Sequence, residues 1–397
     1  MKILVSNAGS TSLKFKFFDM EGEKALCDAR VERVGSRDRA IFTYKNLVSG
    51  KSERRESLCV PGYTDGVQLF LDAVTSAELG VIADIREVDA VGFKTVIAQK
   101  FLGDHELTGE VMAALEHGVR IAPAHNIPYI ETINVFKRLL PTARMVGAFE
   151  TDFHRTVPFE RQVYSVPYEW YEKYGVRRYG YHGASHGYVA GRIAELSGGK
   201  ARRVISCHLG GSGSLCAILD GRSVDSTCGF SLQSGLPHSN RAGDIDPYIF
   251  PFLLGEGLSA EEITRGITKN GGLLGVSGVS GDMRDLEEAI AAGNERARLA
   301  VEMYLHAIVS GVGALYAVLG GLDALVFTGG IGENSAMVRA RVCDALRHMD
   351  LHLDAAKNGP AEGERRISKE ASPVQVWVIP ANEELNVARR ALAVLRK

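Results

Sequence analysis

The sequence has almost no charge imbalance: 46 Lys and Arg face 48 Asp and Glu across 397 residues, for a formal net charge of −2. That leaves no broad basic surface for nucleic acid or an anionic membrane, and neither partner is expected. Paired cysteines are also missing. Six Cys, at positions 27, 59, 207, 216, 228 and 343, are scattered with no Cys-x-x-Cys spacing. This argues against a zinc ribbon or a disulfide framework and fits free thiols in a reducing, cytoplasmic setting. The apolar start Met1-Lys2-Ile3-Leu4-Val5 turns polar at Ser6 and is too short for a signal peptide. The most apolar segment, Leu299–Phe327, has an uncharged core of 16 residues from Ala307 to Leu322. That is short of the ~20 needed to cross a bilayer, so it reads as a buried helix. No low-complexity tract or flexible linker occurs.

Glycine is in excess. The chain has 44, about 11%, where ~7% is usual. A length near 400 suggests two domains, each able to bury a core. Strand and helix patterns alternate, which indicates an α/β fold. Ile3–Ser6, Leu13–Asp19, Val88–Thr95 and Met145–Phe149 read as strands, and Leu107–His117, Ser185–Leu196 and Ala260–Arg265 as helices. An internal similarity links Leu4–Leu13 to Ser206–Leu215: Gly9 falls on Gly211, Ser10 on Ser212 and Ser12-Leu13 on Ser214-Leu215. Each copy is a strand, a Gly/Ser turn and a second strand. The repeat suggests duplicated domains, although Gly and Ser are common in unrelated turns.

Three glycine-rich segments follow: His208–Ser214, Gly271–Asp285 and Thr328–Ser335. Glycine lets the main chain approach a phosphate closely, and successive N–H groups at a helix start supply positive potential. None of the segments is a Walker A loop or a clean dinucleotide fingerprint. Arg241 stands beside Asp244 and Asp246 in one turn. His182 and His186 lie four apart at a helix start; with no HExxH glutamate, anion contact or capping is preferred to zinc. Glu383 and Glu384 precede a terminal helix, where acids favour the dipole in any case.

Together these residues resemble the acetate kinase family, acyl kinases of the sugar kinase–Hsp70–actin superfamily. The resemblance runs from Asn7-Ala8-Gly9-Ser10-Thr11-Ser12-Leu13-Lys14 through Ala122-Pro123-Ala124-His125-Asn126 and Tyr181-His182-Gly183-Ala184-Ser185-His186. It continues through Arg241 with Gly243-Asp244-Ile245-Asp246-Pro247 and Val279–Arg284, and ends at Gly330–Ser335 and Asn382-Glu383-Glu384-Leu385. It implies a duplicated actin-like, ribonuclease H-like two-domain α/β fold with an interdomain cleft. The expected division is 1–149 with 385–397, and 150–384. It further implies a homodimer, ATP/ADP and Mg²⁺, and reversible phosphorylation of a carboxylate.

Carried over by position, Asn7 and Glu384 would place the metal, and Ser10, Ser12 and Lys14 would line the phosphate path. Glu150, His125, His182 and Arg241 would be catalytic, the last three stabilising the transferring phosphoryl group. The hairpin His208, Leu209, Gly210, Gly211 and Ser212 would hold nucleotide phosphates. Asp282, Met283 and Arg284 would hold adenosine together with Gly330, Ile331, Gly332, Glu333 and Asn334. Lys94, Val96, Ala124, Tyr181 and Leu232 would form the acyl site.

The departures from the family cluster on that acyl side. Its G-H-R-V-V-H-G-G is Gly92-Phe93-Lys94-Thr95-Val96-Ile97-Ala98-Gln99 here, so the expected carboxylate-gripping arginine is Lys94. A point charge replaces a two-pronged fork, which is not a conservative exchange. The family's F-D-T-A-F-H is Phe149-Glu150-Thr151-Asp152-Phe153-His154, one methylene longer at the acid. Ala124 would enlarge the pocket and Tyr181 would add a polar handle. The expectation is phosphorylation of acetate or propionate, or of a larger or more polar carboxylate by the same machinery. A non-catalytic nucleotide-binding relative and a pyrophosphate or phosphate donor are the remaining alternatives.

Overall fold

The computed structural model describes residues 1–98 and 100–397 and, for Ala124, the helical backbone alone. Gln99 and the pocket-enlarging side chain expected at Ala124 therefore lie outside the described residues. The chain divides into two compact units, Met1–Asp152 with Asn382–Lys397, and Phe153–Ala381. Both boundaries differ from the expected ones by three residues. Glu150 and Glu384 thus belong to the first unit, because the terminal helix begins at Glu383 with Asn382 as its cap.

The first unit is built on strands β1 (Lys2–Gly9), β2 (Ser12–Asp19), β3 (Lys24–Glu32), β4 (Ser36–Asn46) and β5 (Ser52–Val60), followed by β6 (Ala90–Phe93), β7 (His105–Glu106) and β8 (Arg144–Gly147). They form one sheet in the order β5-β4-β3-β2-β1-β6-β8-β7. Strand β1 sits between β2 and β6 and is buried from Ile3 to Ser6, which explains its unbroken apolar run. Strand β2 alternates: Leu13, Phe15 and Phe17 face the core while Lys14 is exposed. Phe15 stacks on Phe70 at 4.6 Å between ring centres. Edge strand β5 carries Glu53, Arg54, Arg55 and Glu56, charges that discourage edge pairing.

The second unit carries β9 (Arg203–His208), β10 (Ser214–Leu219), β11 (Arg222–Ser226), β12 (Ala324–Thr328), β13 (Arg365–Arg366) and β14 (Gln375–Val378), ordered β11-β10-β9-β12-β14-β13. The run β3-β2-β1-β6-β8 of the first sheet has the same connectivity as β11-β10-β9-β12-β14 of the second. In both, three antiparallel strands precede two parallel ones. Ser12 opens β2 as Ser214 opens β10, so the repeated Gly/Ser hairpin is the start of a duplicated unit.

The apolar segment seen in the sequence is the helix Glu295–Leu319, 25 residues long. It is long and apolar enough to cross a membrane by composition, yet it lays Ala297, Val301, Tyr304, Ile308, Val312 and Leu315 into the core of the second unit. It is amphipathic rather than buried all round. The helix expected at Leu107 starts at Gly109 because Thr108 caps it, and the strand expected at Val88–Thr95 shortens to β6. Lys94 therefore lies just beyond the C-terminal end of a parallel strand. Ligands of open α/β sheets collect at such ends, and Glu150 after β8, His208 on β9 and Gly329 after β12 occupy equivalent places.

Candidate active site

In the second unit, three loops far apart in sequence meet around a cavity of about 890 Å³. Gly210 and Gly211 come from the β9–β10 hairpin, Asp282, Met283 and Arg284 from the start of the helix Met283–Ala291, and Gly330, Ile331 and Asn334 from the loop after β12. Asp282 caps its helix by accepting from the Arg284 N–H and pairs with the Arg284 guanidinium at 2.7 Å. Gly329 holds φ at +77°, and a Cβ there would lie 2.7 Å from the Leu209 carbonyl oxygen. Only glycine lets these two loops touch.

The cavity does not include every residue expected of it. Leu209 is fully buried in the core, and Gly332 packs under Phe327. Glu333 turns inward, accepting from the Gly329 N–H at 2.9 Å and the Ala381 N–H at 3.0 Å, so it ties the loop together. Ser212 turns to His238, and His208 to Ser185. Most of the middle glycine segment also lies elsewhere. Gly271, Gly272 and Gly275 line a separate cavity of about 780 Å³ with Asp244 and His306. Gly272 has φ of +60° and backs onto the His238 and Arg241 carbonyls, where a Cβ would sit at 2.1 and 2.6 Å.

Ser239 and Glu287 line the nucleotide-sized cavity although the sequence did not single them out. Glu287 lies one helical turn beyond Met283 and accepts from Ser335 at 2.7 Å, so helical spacing was the available signal. Ser239 carries no such signal.

Arg241 is half-buried, and no carboxylate among the described residues pairs with it. The acids expected beside it are spent locally: Asp244 accepts from the Gly235 N–H and Asp246 from the Tyr248 N–H. Burial lowers the Arg241 pKa, with Cys228 acting in the opposite sense. A desolvated guanidinium without a counter-ion suits an anion that arrives from outside. His182 adopts φ of +57° at the N-cap of the helix Gly183–Leu196 and stacks on His208 at 4.5 Å. His186 is fully buried with both ring nitrogens bonded to serines, which removes it as a metal ligand. The Tyr181 hydroxyl donates to the Phe230 carbonyl at 2.7 Å; its proton is committed, contrary to the polar handle expected of it. Tyr181 and Leu232 are buried within the second unit and Val96 within the first.

In the first unit the Lys94 ammonium meets Glu383 at 2.6 Å. Burial works against this charge, but Glu383, Glu150 and Tyr129 outweigh it and raise the Lys94 pKa. Arg390, missed by sequence reasoning, pairs with Asp104 at 2.5 Å and donates to the Phe149 carbonyl, just ahead of Glu150. Its 286-residue separation from Asp104 left no local signal.

The Tyr129 hydroxyl donates to the Asn7 side-chain oxygen at 2.5 Å. Tyr129 sits one turn after half-buried His125 on the helix Pro123–Leu139, so spacing from His125 was the missed clue. Ser10 lies in the β1–β2 turn and Ser12 starts β2. Lys14 and Glu384 share a cavity of about 240 Å³ with Lys16, Asp28 and Arg30. Asn7 is the register partner of Lys14. Among the described residues no group of three or more His, Cys, Asp or Glu side chains could hold a metal by itself. The hard oxygens of Asn7 and Glu384 do suit Mg²⁺, which takes few protein ligands and fills its shell with phosphate and water.

A sequence profile of the Acetokinase family matches residues 2–389. The chain belongs to the Acetokinase family. It is 42% identical over 401 residues to an acetate kinase of Phocaeicola vulgatus, covering all of both chains. Among solved structures, Porphyromonas gingivalis acetate kinase is 39% identical with a TM-score of 0.89, covering 99% of each chain. A propionate kinase from Francisella tularensis subsp. tularensis SCHU S4 is 31% identical with a TM-score of 0.90 over 98% of each. Members of the Acetokinase family are phosphotransferases with a carboxyl acceptor, and membership implies ATP/ADP use. The actin-like α/β fold matches those structures.

Proposed function

We propose that this member of the Acetokinase family transfers the terminal phosphoryl group of ATP reversibly to a short-chain carboxylate such as acetate or propionate, forming an acyl phosphate. The observation that carries this reading is the single cavity of about 890 Å³ into which the glycine loops converge, in a chain of this family. Gly210, Gly211, Asp282–Arg284, Gly330, Ile331 and Asn334 serve the nucleotide there, and N–H groups of the loops hold its phosphates.

The acceptor carboxylate is ionised at neutral pH, so no strong general base is needed. Catalysis then rests on positioning and charge neutralisation. Arg241 neutralises charge on the moving phosphoryl group and His182 contacts it, with His125, Ser10, Ser12 and Lys14 along its path. Asn7 and Glu384 would hold Mg²⁺, which when bound screens phosphate charge. Glu150 and Lys94 belong to the acyl end.

A hydroxylamine trap for acyl phosphate, run with ATP, Mg²⁺ and a carboxylate panel, tests this. Acyl hydroxamate formed from acetate or propionate supports it; ATP binding with no turnover on any carboxylate would favour a non-catalytic nucleotide binder. A second reading, a larger or more polar carboxylate, is favoured by the ion pair that engages Lys94 with Glu383. It requires such an acid to exceed acetate in kcat/KM.

The homodimer implied by the family is supported by exposed apolar side chains, with Tyr248 77% and Phe252 60% exposed. A cytoplasmic setting is supported by six free thiols, five of them buried.

A further inference from the structure

The seat of His182 is an unbroken chain of hydrogen bonds through the second unit. Ser206 Oγ lies 2.9 Å from His186 Nδ1, His186 Nε2 lies 2.8 Å from Ser214 Oγ, and Ser214 Oγ lies 2.8 Å from His182 Nδ1. Ser206, His186 and Ser214 are fully buried and His182 is 8% exposed. The β9–β10 register sets the geometry: His208 pairs with Ser214 and Ser206 with Cys216, so Ser206, His208 and Ser214 share one face of the hairpin. His182 and His186 are four apart at the start of the helix Gly183–Leu196 and stack along one of its faces.

Proton counting gives the chain a direction. Burial, with His154 and His208 nearby, drives the His186 pKa well below the ordinary value, so His186 is neutral and has one N–H. Among the described residues the side-chain hydroxyl of Ser206 meets one partner, His186 Nδ1. A buried hydroxyl keeps its proton in a hydrogen bond, so Ser206 donates to Nδ1. The His186 proton then sits on Nε2 and goes to Ser214. Ser214 is fully buried, and with the His186 N–H on one lone pair its own proton goes to its other partner, His182 Nδ1.

We infer that Ser206, His186 and Ser214 are positioning residues that hold His182 with Nδ1 as acceptor and Nε2 as the N–H donor. His182 then offers a hydrogen bond to the phosphoryl group while still neutral, and does not need to become imidazolium. The inference rests on the reading of His182 as a phosphoryl contact. The backbone of His182, at φ +57° where non-glycine residues are uncommon, is the strain expected where such an orientation is enforced.

The test uses the full chain in single and paired variants. Ser214→Ala should lower kcat about tenfold, the order typical of groups that orient a functional imidazole, and leave KM for ATP within about twofold. Ser214→Thr, which keeps the hydroxyl on a strand position, should recover most of that loss. In a His182→Gln background Ser214→Ala should cost nothing further, because it acts only through His182. In ¹⁵N-histidine-labelled wild-type protein the His182 ring, assigned by its loss in His182→Gln, should show a bare Nδ1 and a protonated Nε2. Wild-type kcat in Ser214→Ala, additive losses in the double variant, or a protonated Nδ1 would each overturn the inference. Full activity in His182→Gln would instead overturn the reading on which it rests, whatever tautomer the spectrum shows.

Discussion

The Lys94 ammonium lies 2.6 Å from a Glu383 carboxylate oxygen, with the two side chains only 19% and 16% exposed. The cation proposed to meet a substrate carboxylate therefore already has a carboxylate of the protein itself, on the residue before Glu384.

Removing one partner of a mostly buried pair leaves the other charge uncompensated. Lys94→Ala should cost about 3 kcal/mol of stability, and Lys94→Ala combined with Glu383→Ala should cost less than the sum of the two single changes. Urea unfolding of the set measures this. The same Lys94→Ala should lower kcat/KM for the carboxylate and spare ATP binding; unchanged turnover would remove Lys94 from the acyl site.

Stability should fall on mild acidification. His154 is 3% exposed, bonded to Ser223 and the Tyr181 carbonyl, and burial lowers its pKa from 6.5 to about 4. Between those values the unfolded chain binds the proton and the folded chain does not. The contribution is complete above pH 6.5 and is lost as pH falls toward 4, by about 3 kcal/mol. Urea midpoints across this range, flatter in His154→Gln than in wild type, would bear this out.

Gly329→Ala should weaken ATP binding at least about tenfold, because a Cβ would meet the Leu209 backbone in a left-handed conformation that alanine resists. Isothermal titration with ATP is the direct measurement. Affinity within twofold of wild type would show that the loop contact is dispensable.

Glu333 separates a tying role from a nucleotide-contacting one. Glu333→Gln keeps an oxygen for the Gly329 and Ala381 N–H groups and should leave KM for ATP nearly unchanged. Glu333→Ala leaves both donors unmet and should cost about 2 kcal/mol in unfolding experiments. A large rise in KM from the Gln variant alone would return Glu333 to the nucleotide.

The duplicated hairpin was readable because Ser12 and Ser214 recur in matching local sequence, and the glycine loops because strand, turn and helix start are all local signals. The partners of the site residues were not readable in that way. Arg390 reaches Asp104 across 286 residues, and Lys94 reaches Glu383 across 289. Such contacts depend on where the terminal helix returns to the first sheet. The proton wiring behind His182 was equally hidden, since it needs a strand register and a helix face at once. Glycine excess proved an imperfect guide: Gly272 supports the Arg241 turn from behind, and Gly332 packs in the core.

All twelve residues lining the glycine-walled cavity belong to residues 153–381, whereas Lys94, Glu150 and Glu383 belong to the other unit. On the reading proposed above, changes at Lys94 and Glu150 can therefore accumulate while the lining of that cavity stays as it is.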